Sequence, residues 1–197
     1  MVDKYGMGLD EHYCYPGSDV LINKLGLTDA AALEAAEIEL TQARVGQYEP
    51  DFDDISLPAL RAIHFHLFQD LYDWAGEIRT VDVSKGGTRF ANLSRIEPEA
   101  NKLFQQLAQE GYLASLPRDK LVARLAHYYS ELNVIHPFRD GNGRAQRLMF
   151  ELIGINAGYA LRWEPITRAE WVDANIAAYN CQLDPLIRLL ERTLKPI

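Results

Sequence analysis

Apolar side chains recur every three or four positions along most of the chain, and this spacing is typical of one face of an α-helix. The clearest stripe consists of Leu121, Leu125, Tyr128, Leu132 and Ile135. Pro137 should end this helix, because proline cannot continue the backbone hydrogen bonding and disfavours helical geometry in the residue before it. The pattern therefore predicts a helix that stops at a histidine-proline pair.

Six further segments are predicted to be helical from their composition, capping residues and helix breakers. An alanine- and glutamate-rich run forms the first of them. Thr167 and Glu170 form a capping box at the start of another. Their expected positions are 28–44, 56–76, 98–110, 143–157, a stretch that begins at Thr167, and a last stretch that begins at Pro185.

Residues 78–93 depart from the helical spacing. Two short runs of strand-forming residues, IRTVDV and TRFANL, lie on either side of the turn sequence SKGG. We interpret this segment as a β-hairpin that projects from the helices. The predicted fold is therefore an all-α bundle with one small hairpin, in a single domain whose core runs from about residue 21 to about residue 195.

The composition is compatible with one domain and limits its partners. The chain has 197 residues, 48% of them apolar, and a net charge of −8, which disfavours direct binding to nucleic acid or to an anionic membrane. No apolar run approaches the about 20 residues of a membrane span, and residues 1–13 lack the features of a secretory signal. With only two cysteines, the sequence favours a cytoplasmic protein.

The residues that carry chemistry lie between His136 and Arg147, in the sequence HPFRDGNGRAQR. The following proline fixes His136 at a helix end, where we expect its ring to point outward without being buried. Near neutral pH such an imidazole can take a proton from a hydroxyl group. Phe138 should insert into the core and anchor the loop.

Two glycines bracket Asn142 where the next helix begins. Gly141 and Gly143 allow consecutive N–H groups to form an anion nest at a helix N-terminus. Arg144 and Arg147 oppose the helix macrodipole there, at a cost of about 0.3 to 1 kcal/mol each. A bound polyanion would reverse the sign of that cost, so the segment predicts a site for a phosphate chain.

Asp140 places a carboxylate beside the nest, where it would repel phosphate unless a divalent cation lay between them. Mg²⁺ is the usual choice with phosphate oxygens, so we expect a Mg²⁺–nucleotide complex with Asp140 as a metal ligand. A glycine-rich helix start after a histidine can also be an ordinary turn. The number of matching groups within this short segment favours the chemical interpretation.

The segment HPFRDGNGRAQR resembles the motif of the Fic family, and YPGSDVLINKLG and LFQDLYDWAGEIRTVDVSKG extend the resemblance over nearly the whole chain. The resemblance implies a helical Fic core with a hairpin flap, and transfer of AMP from ATP to a Tyr, Thr or Ser hydroxyl of a target protein. The roles that it implies are general base for His136, Mg²⁺ ligand for Asp140, anion hole for Gly141, Asn142 and Gly143, and binding of the β- and γ-phosphates for Arg144 and Arg147. Related kinases tend to have lysine at the position of Gly143, so glycine favours nucleotidyl transfer.

The resemblance also assigns the flap and the adenine pocket. The flap, with Lys85 and Gly86 at its tip, would bind a segment of the target protein as an added strand. Asn175 and Tyr179, one turn apart in the sixth helix, would lie near the adenine. The alternatives for these four residues are an ordinary surface hairpin and ordinary helix packing.

Regulation is a further implication of the resemblance. Many Fic proteins are inhibited by a helix with a Ser/Thr-x-x-x-Glu-Gly/Asn motif, whose glutamate engages the second motif arginine. No such motif occurs in this sequence. The chain thus resembles the stand-alone group that a separate small antitoxin controls, and we expect a toxin whose antitoxin carries such a helix and contacts Arg147.

Two other functions remain open at this point. The same site could transfer another phosphate-bearing group, such as UMP or phosphocholine, because a nest recognises phosphate rather than a base. The fold could also serve as a non-catalytic interaction module, although His136 and the two arginines would then have no purpose. Outside the motif, His64 and His66 point to different faces of one helix, and we expect them to be structural.

Overall fold

The computed structural model describes residues 12–197, and every structural statement below concerns these residues. The helices are α1 (Ala30–Gly46), α2 (Leu57–Phe68), α3 (Leu93–Gln109), α4 (Arg118–Ile135), α5 (Asn142–Asn156), α6 (Arg168–Tyr179) and α7 (Asp184–Thr193), with one short 3₁₀ turn at Gly111–Leu113. The strands are β1 (Ser84–Lys85), β2 (Thr88–Arg89), β3 (Tyr159–Leu161) and β4 (Leu194–Pro196). The predicted helical bundle with a small hairpin is confirmed.

The core is built around α4 and α5, which lie on either side of the loop that contains the histidine-proline pair. Helix α2 packs against α5, and α7 packs against α4. Phe138 is only 1% exposed, which confirms that it plugs the core from the loop. Tyr13 and Cys14 are also buried, so the core begins before the expected start at residue 21.

The expectation that the chain opens without a secretory signal concerns mostly residues 1–11, which lie outside the described residues. None of the helices between residues 12 and 197 is long and apolar enough to cross a membrane.

The helix predicted over 56–76 is shorter than expected. Ser56 caps α2 as predicted, but the helix ends at Phe68 and the chain continues as turns. These turns bring the backbone back onto α2, where a Cβ on Gly76 would lie 2.9 Å from the Cβ of Phe65. Leu71 is buried by the turns, so its apolar spacing reflects burial rather than a longer helix.

The third helix begins at Leu93, earlier than the predicted start at Pro98. Its first turn is anchored from the hairpin, because the Asp82 carboxylate accepts a hydrogen bond from the Leu93 N–H at 3.1 Å. Pro98 lies inside α3, where it removes one helical hydrogen bond. Two other predicted starts are confirmed, the capping box at Thr167 and the proline in the first turn of α7.

The hairpin is confirmed, but its strands have two residues each where six were expected. Ser84 lies opposite Arg89, and Lys85 lies opposite Thr88. The turn therefore consists of the two glycines that follow Lys85, and the first two residues of SKGG belong to β1. Gly86 adopts a φ of 57°, a left-handed conformation that glycine tolerates well.

The strands of the hairpin are short because residues that precede and follow them form hydrogen bonds to the helical bundle instead. The Arg79 N–H donates to the Pro137 carbonyl at 2.9 Å, and the Ala91 N–H donates to the Val134 carbonyl at 3.0 Å. Both acceptors lie at or just after the end of α4. The flap is thus fixed to the backbone on either side of the histidine.

A second strand pair was not predicted. Strand β3 pairs with β4 in antiparallel register, with Tyr159 opposite Pro196 and Leu161 opposite Leu194. Three-residue strands that lie far apart in sequence carry too little alternation to be recognised. The pair ties the C-terminal residues to the end of α5, away from the loop described next.

Candidate active site

A cavity of about 970 Å³ lies between the loop after α4, the start of α5, helix α6 and the hairpin. It brings together every site residue that the sequence predicted. The predicted residues that line it are Lys85, Gly86, His136, Asp140, Gly141, Asn142, Gly143, Arg144, Arg147, Asn175 and Tyr179. Residues from separate parts of the chain therefore form one site.

His136 ends α4 in the left-handed conformation, with φ 50° and ψ 64°. The expectation that its ring is not buried is wrong, because the residue is only 8% exposed. The ring stacks on that of Phe90, with centroids 3.7 Å apart and planes at 11°. The position of the histidine at a helix end agrees with the prediction, and the stacked ring of Phe90 from the flap contributes to its burial.

The hydrogen bonding of the imidazole indicates its tautomer. Nδ1 of His136 lies 3.2 Å from the carbonyl oxygen of Asn133, and a carbonyl oxygen can only accept, so Nδ1 carries the proton of a neutral ring. Burial lowers the pKa of His136 to about 3, with smaller contributions from Arg79 and Lys85 in the same direction. The ring is therefore neutral near pH 7, and Nε2 is left as the basic atom.

Arg79 holds the backbone of the histidine in place, a role that the sequence did not predict. Its buried guanidinium donates to the carbonyl of His136 at 2.8 Å and to those of Val81 and Ala91, which lie on the two flanks of the flap. Burial lowers the pKa of Arg79 to about 10. One side chain thus sets the position of the flap relative to the histidine backbone.

His64 supports the loop from α2, in the structural role that was expected of it. Its Nδ1 accepts a hydrogen bond from the Gly76 N–H at 2.9 Å, so Nε2 carries the proton and donates to the Asp140 carbonyl at 3.0 Å. Burial lowers its pKa to about 4. The ring also stacks on Phe138, with centroids 3.9 Å apart. His64 therefore contacts the loop at two points, Phe138 and Asp140.

The start of α5 has the geometry of an anion nest. Gly141 caps the helix with a φ of 76°, and a Cβ at this position would overlap the Phe68 ring, so only glycine fits. The N–H groups of Asn142 and Gly143 belong to the first turn, where a helix leaves its backbone donors without partners. Both residues line the cavity, and these donors suit a phosphate group.

The side chain of Asn142 braces the loop. Its amide nitrogen donates to the Phe138 carbonyl at 2.8 Å, and its amide oxygen accepts from the Phe138 N–H at 2.9 Å. Asp140 is also held locally, since its carboxylate accepts from the Gly141 N–H at 2.7 Å. We therefore assign the anion-binding part of Asn142 to its backbone N–H.

The two motif arginines differ in their partners. The guanidinium of Arg144 donates to the carboxylate of Glu37 at 3.3 Å and lies 4.5 Å from the centre of the Phe68 ring. Arg147 also lines the cavity, and none of the carboxylates of residues 12–197 forms an ion pair with it. Arg147 is thus available to an external anion.

The far end of the cavity is apolar and is formed by α6 and the segment before it. Its walls include Trp163, Ile166, Trp171, Val172 and Ile176. Asn175 donates to the Trp171 carbonyl at 2.8 Å, whereas its side-chain oxygen is buried and accepts no hydrogen bond. An apolar slot lined by aromatic and aliphatic side chains suits the flat ring of a purine.

Tyr179 lines the cavity with its ring, and its hydroxyl donates to the Arg89 carbonyl of β2 at 3.0 Å. It therefore joins the wall of the apolar slot to the flap, a role that the sequence did not indicate. Lys85 and Gly86 lie at the flap tip on the same cavity.

Sequence reasoning missed four residues of the site, namely Glu37, Tyr72, Arg79 and Phe90. Each contacts a motif residue or its partner through the fold rather than through sequence proximity. For Glu37 a weak signal existed, because it shares the buried face of α1 with Leu33 and Thr41. Within the described residues, no group of three His, Cys, Asp or Glu side chains could hold a metal ion by itself.

Comparisons with known proteins identify similar chains. A sequence profile of the Fic/DOC family matches residues 54–153. A Salmonella typhimurium protein named "Probable protein adenylyltransferase Fic" is 45% identical over 194 residues, which cover 98% of this chain and 96% of that protein.

Two solved structures share the fold. One is BepC, a VirB-translocated effector protein of Bartonella tribocorum with bound AMPPNP. It has a TM-score of 0.89 and 26% identity, and the match covers 97% of this chain and 100% of that chain. The other is the N-terminal Fic domain of a Bep effector protein from Bartonella quintana with bound ADP. It has a TM-score of 0.88 and 30% identity, with coverage of 94% and 95%.

Proposed function

Because the chain belongs to the Fic/DOC family, we propose that it is a protein adenylyltransferase, which transfers AMP from ATP to a hydroxyl group of a target protein. The observation that carries this proposal is the shared cavity. It places a neutral histidine, a helix N-terminus with two arginines and an apolar slot side by side. The adenine nucleotides in the two Bartonella structures support ATP as the substrate.

The shape of the cavity gives ATP one orientation. The adenine lies in the apolar slot of α6, next to Asn175 and Tyr179. The phosphates extend to the start of α5, and Arg144 and Arg147 bind the β- and γ-phosphates. This orientation leaves the α-phosphate next to His136.

His136 acts on the hydroxyl group that attacks. Nε2 takes the proton of the target hydroxyl, whose oxygen forms a bond to the α-phosphorus while the bond between the α- and β-phosphates breaks. Pyrophosphate leaves, and the arginines and the first-turn N–H groups of α5 stabilise the charge that develops. A neutral histidine at pH 7 is a requirement of this step.

The residues present fit a Mg²⁺ ion bound with the nucleotide. Asp140 places one buried carboxylate at the cavity, and Mg²⁺ is commonly held by one or two carboxylates together with substrate phosphates. Asp140 would hold the ion, which would reduce the repulsion between the carboxylate and the phosphates. Residues 12–197 contain no cluster of three possible metal ligands, which is compatible with this arrangement because phosphate and water oxygens would supply the other ligands.

The proposal also includes the target protein, the type of residue that is modified and the regulation of the enzyme. A segment of the target protein binds the flap as an added strand and offers a Tyr, Thr or Ser hydroxyl to His136. The chain is the toxin of a cytoplasmic pair, and its antitoxin inserts the glutamate of a Ser/Thr-x-x-x-Glu helix next to Arg147. Support for this comes from Arg147, the motif arginine that forms no ion pair with a carboxylate of residues 12–197.

Labelled ATP tests the reaction. The protein is incubated with a bacterial lysate and ATP that carries the label on the α-phosphate, with γ-labelled ATP as the parallel sample. We expect protein bands labelled from the α-phosphate alone, and none with His136→Ala. Label from the γ-phosphate would indicate a kinase. Labelling of the target by labelled UTP or CDP-choline but not by α-labelled ATP would indicate one of the other phosphate-bearing groups.

Growth tests the toxin assignment. Expression of the wild-type chain in a bacterium should arrest growth, and the His136→Ala variant at equal protein level should not. Growth arrest by both variants would contradict a toxin that acts through this site.

A further inference from the structure

Glu37 is a buried charged residue that the proposed reaction does not use. It lies on the inward face of α1 and is 8% exposed. A buried carboxylate is unfavourable unless hydrogen bonds and an opposite charge compensate for its lost hydration. Glu37 has both kinds of partner, a hydroxyl group and a cation, and the cation lines the cavity.

The first partner is Tyr72, which follows α2. Its hydroxyl donates to one carboxylate oxygen of Glu37 at 2.8 Å, and the tyrosine itself is 1% exposed. Burial and the neighbouring carboxylate raise the pKa of Tyr72, so its hydroxyl remains a donor. The hydroxyl thus fixes the orientation of the carboxylate.

The second partner is Arg144. The other carboxylate oxygen of Glu37 accepts from one terminal nitrogen of its guanidinium at 3.3 Å. The guanidinium also lies over the Phe68 ring, 4.5 Å from its centre, where a cation is attracted to the ring face. A guanidinium has five N–H donors, so this single contact leaves most of them for a ligand in the cavity that Arg144 lines.

We infer that Glu37, oriented by Tyr72, is a positioning residue that holds the Arg144 guanidinium on Phe68 and so prepares it for the phosphates of the nucleotide. The inference rests on the proposed nucleotide site. An arginine that is already ordered loses less conformational freedom when it binds phosphate. Glu37 engages the first motif arginine and leaves Arg147 untouched, so its role differs from that of an inhibitory glutamate.

A double-mutant cycle tests the inference. ADP affinity is measured by calorimetry in the presence of Mg²⁺ for wild type, Glu37→Gln, Arg144→Ala and the double variant. We expect Glu37→Gln to weaken ADP binding by at least about tenfold in the wild-type background. In the Arg144→Ala background it should weaken binding by less than about twofold, because it acts through Arg144.

Three results would overturn the inference alone. Equal weakening in both backgrounds would mean that Glu37 stabilises the fold generally, and unchanged binding would mean that Arg144 needs no positioning. Tighter binding by Glu37→Gln would mean that the carboxylate competes with phosphate. Failure of the wild type to bind ADP would instead overturn the nucleotide site itself, and this inference with it.

Two more variants complete the test. Tyr72→Phe removes only the hydroxyl and keeps the ring. It should weaken ADP binding by a few fold in the wild-type background and leave it unchanged in the Arg144→Ala background. It provides the same comparison if Glu37→Gln does not fold. Glu39→Gln, which changes an exposed glutamate two residues further along α1, is the matched control and should leave ADP affinity unchanged.

Discussion

The ring of Phe90 covers the imidazole of His136, with centroids 3.7 Å apart. Phe90 directly follows β2 in the flap, and its only buried neighbour in the small flap cluster of the described residues is Val83. Because burial is the main cause of the lowered pKa of His136, the position of the flap and the basicity of the histidine are coupled. A movement of the flap therefore changes the chemistry of the histidine.

Phe90→Ala should raise the pKa of His136 by about one unit or more, because water then reaches the ring and stabilises its charged form. The measurement is an NMR titration of the imidazole between pH 3 and 8. Val83→Ala is the matched control, since it removes packing from the same cluster and leaves the stacked ring in place. An unchanged pKa in Phe90→Ala would show that other parts of the protein bury the histidine.

The stability of the protein should fall as the pH is lowered from about 6.5 to about 4. Unfolded histidine has a pKa near 6.5, whereas the folded values are about 3 for His136 and about 4 for His64. In this window the unfolded state binds more protons, so the free energy of unfolding decreases by up to about 1.4 kcal/mol per pH unit for each histidine.

Urea unfolding at pH 7, 6 and 5 measures this slope. His136→Asn, which tolerates the left-handed backbone, should have a smaller slope than the wild type because one of the two buried histidines is gone. Equal slopes in the two proteins would contradict the burial of His136.

Tyr179→Phe should affect the protein acceptor more than the nucleotide. It removes the hydrogen bond from the Tyr179 hydroxyl to the Arg89 carbonyl and keeps the ring on the cavity wall. We expect the KM for the acceptor protein to rise by about fivefold, in line with the loss of one hydrogen bond, with little change in the KM for ATP. A rise in the KM for ATP alone would place the hydroxyl on the nucleotide instead.

Gly141→Ala should destabilise the protein by about 2 kcal/mol or more, because the residue has a positive φ and the new Cβ would meet the Phe68 ring. Thermal unfolding measures the loss. Gly143→Ala is the matched control, since its Cβ would only make an ordinary contact with Arg147, at 3.5 Å. A similar loss of stability in both variants would argue against the close packing at Gly141.

The sequence by itself determined the helices, the capping box at Thr167, the existence of the flap and the candidate residues of the loop from His136 to Arg147. These features follow from helical periodicity, caps, glycines and proline, which act over a few neighbouring residues. The family resemblance then gave those residues their expected roles. It did not indicate how each one is held.

Only the tertiary structure decided the environment of those residues. It buried His136 under Phe90, ended α2 at Phe68, paired β3 with β4, and joined Glu37 to Arg144 across 107 positions of the chain. The physical reason is that burial and long-range ion pairs depend on which segments the fold brings together. Local sequence patterns thus predicted which residues carry the chemistry, and tertiary packing determined their charge, orientation and partners.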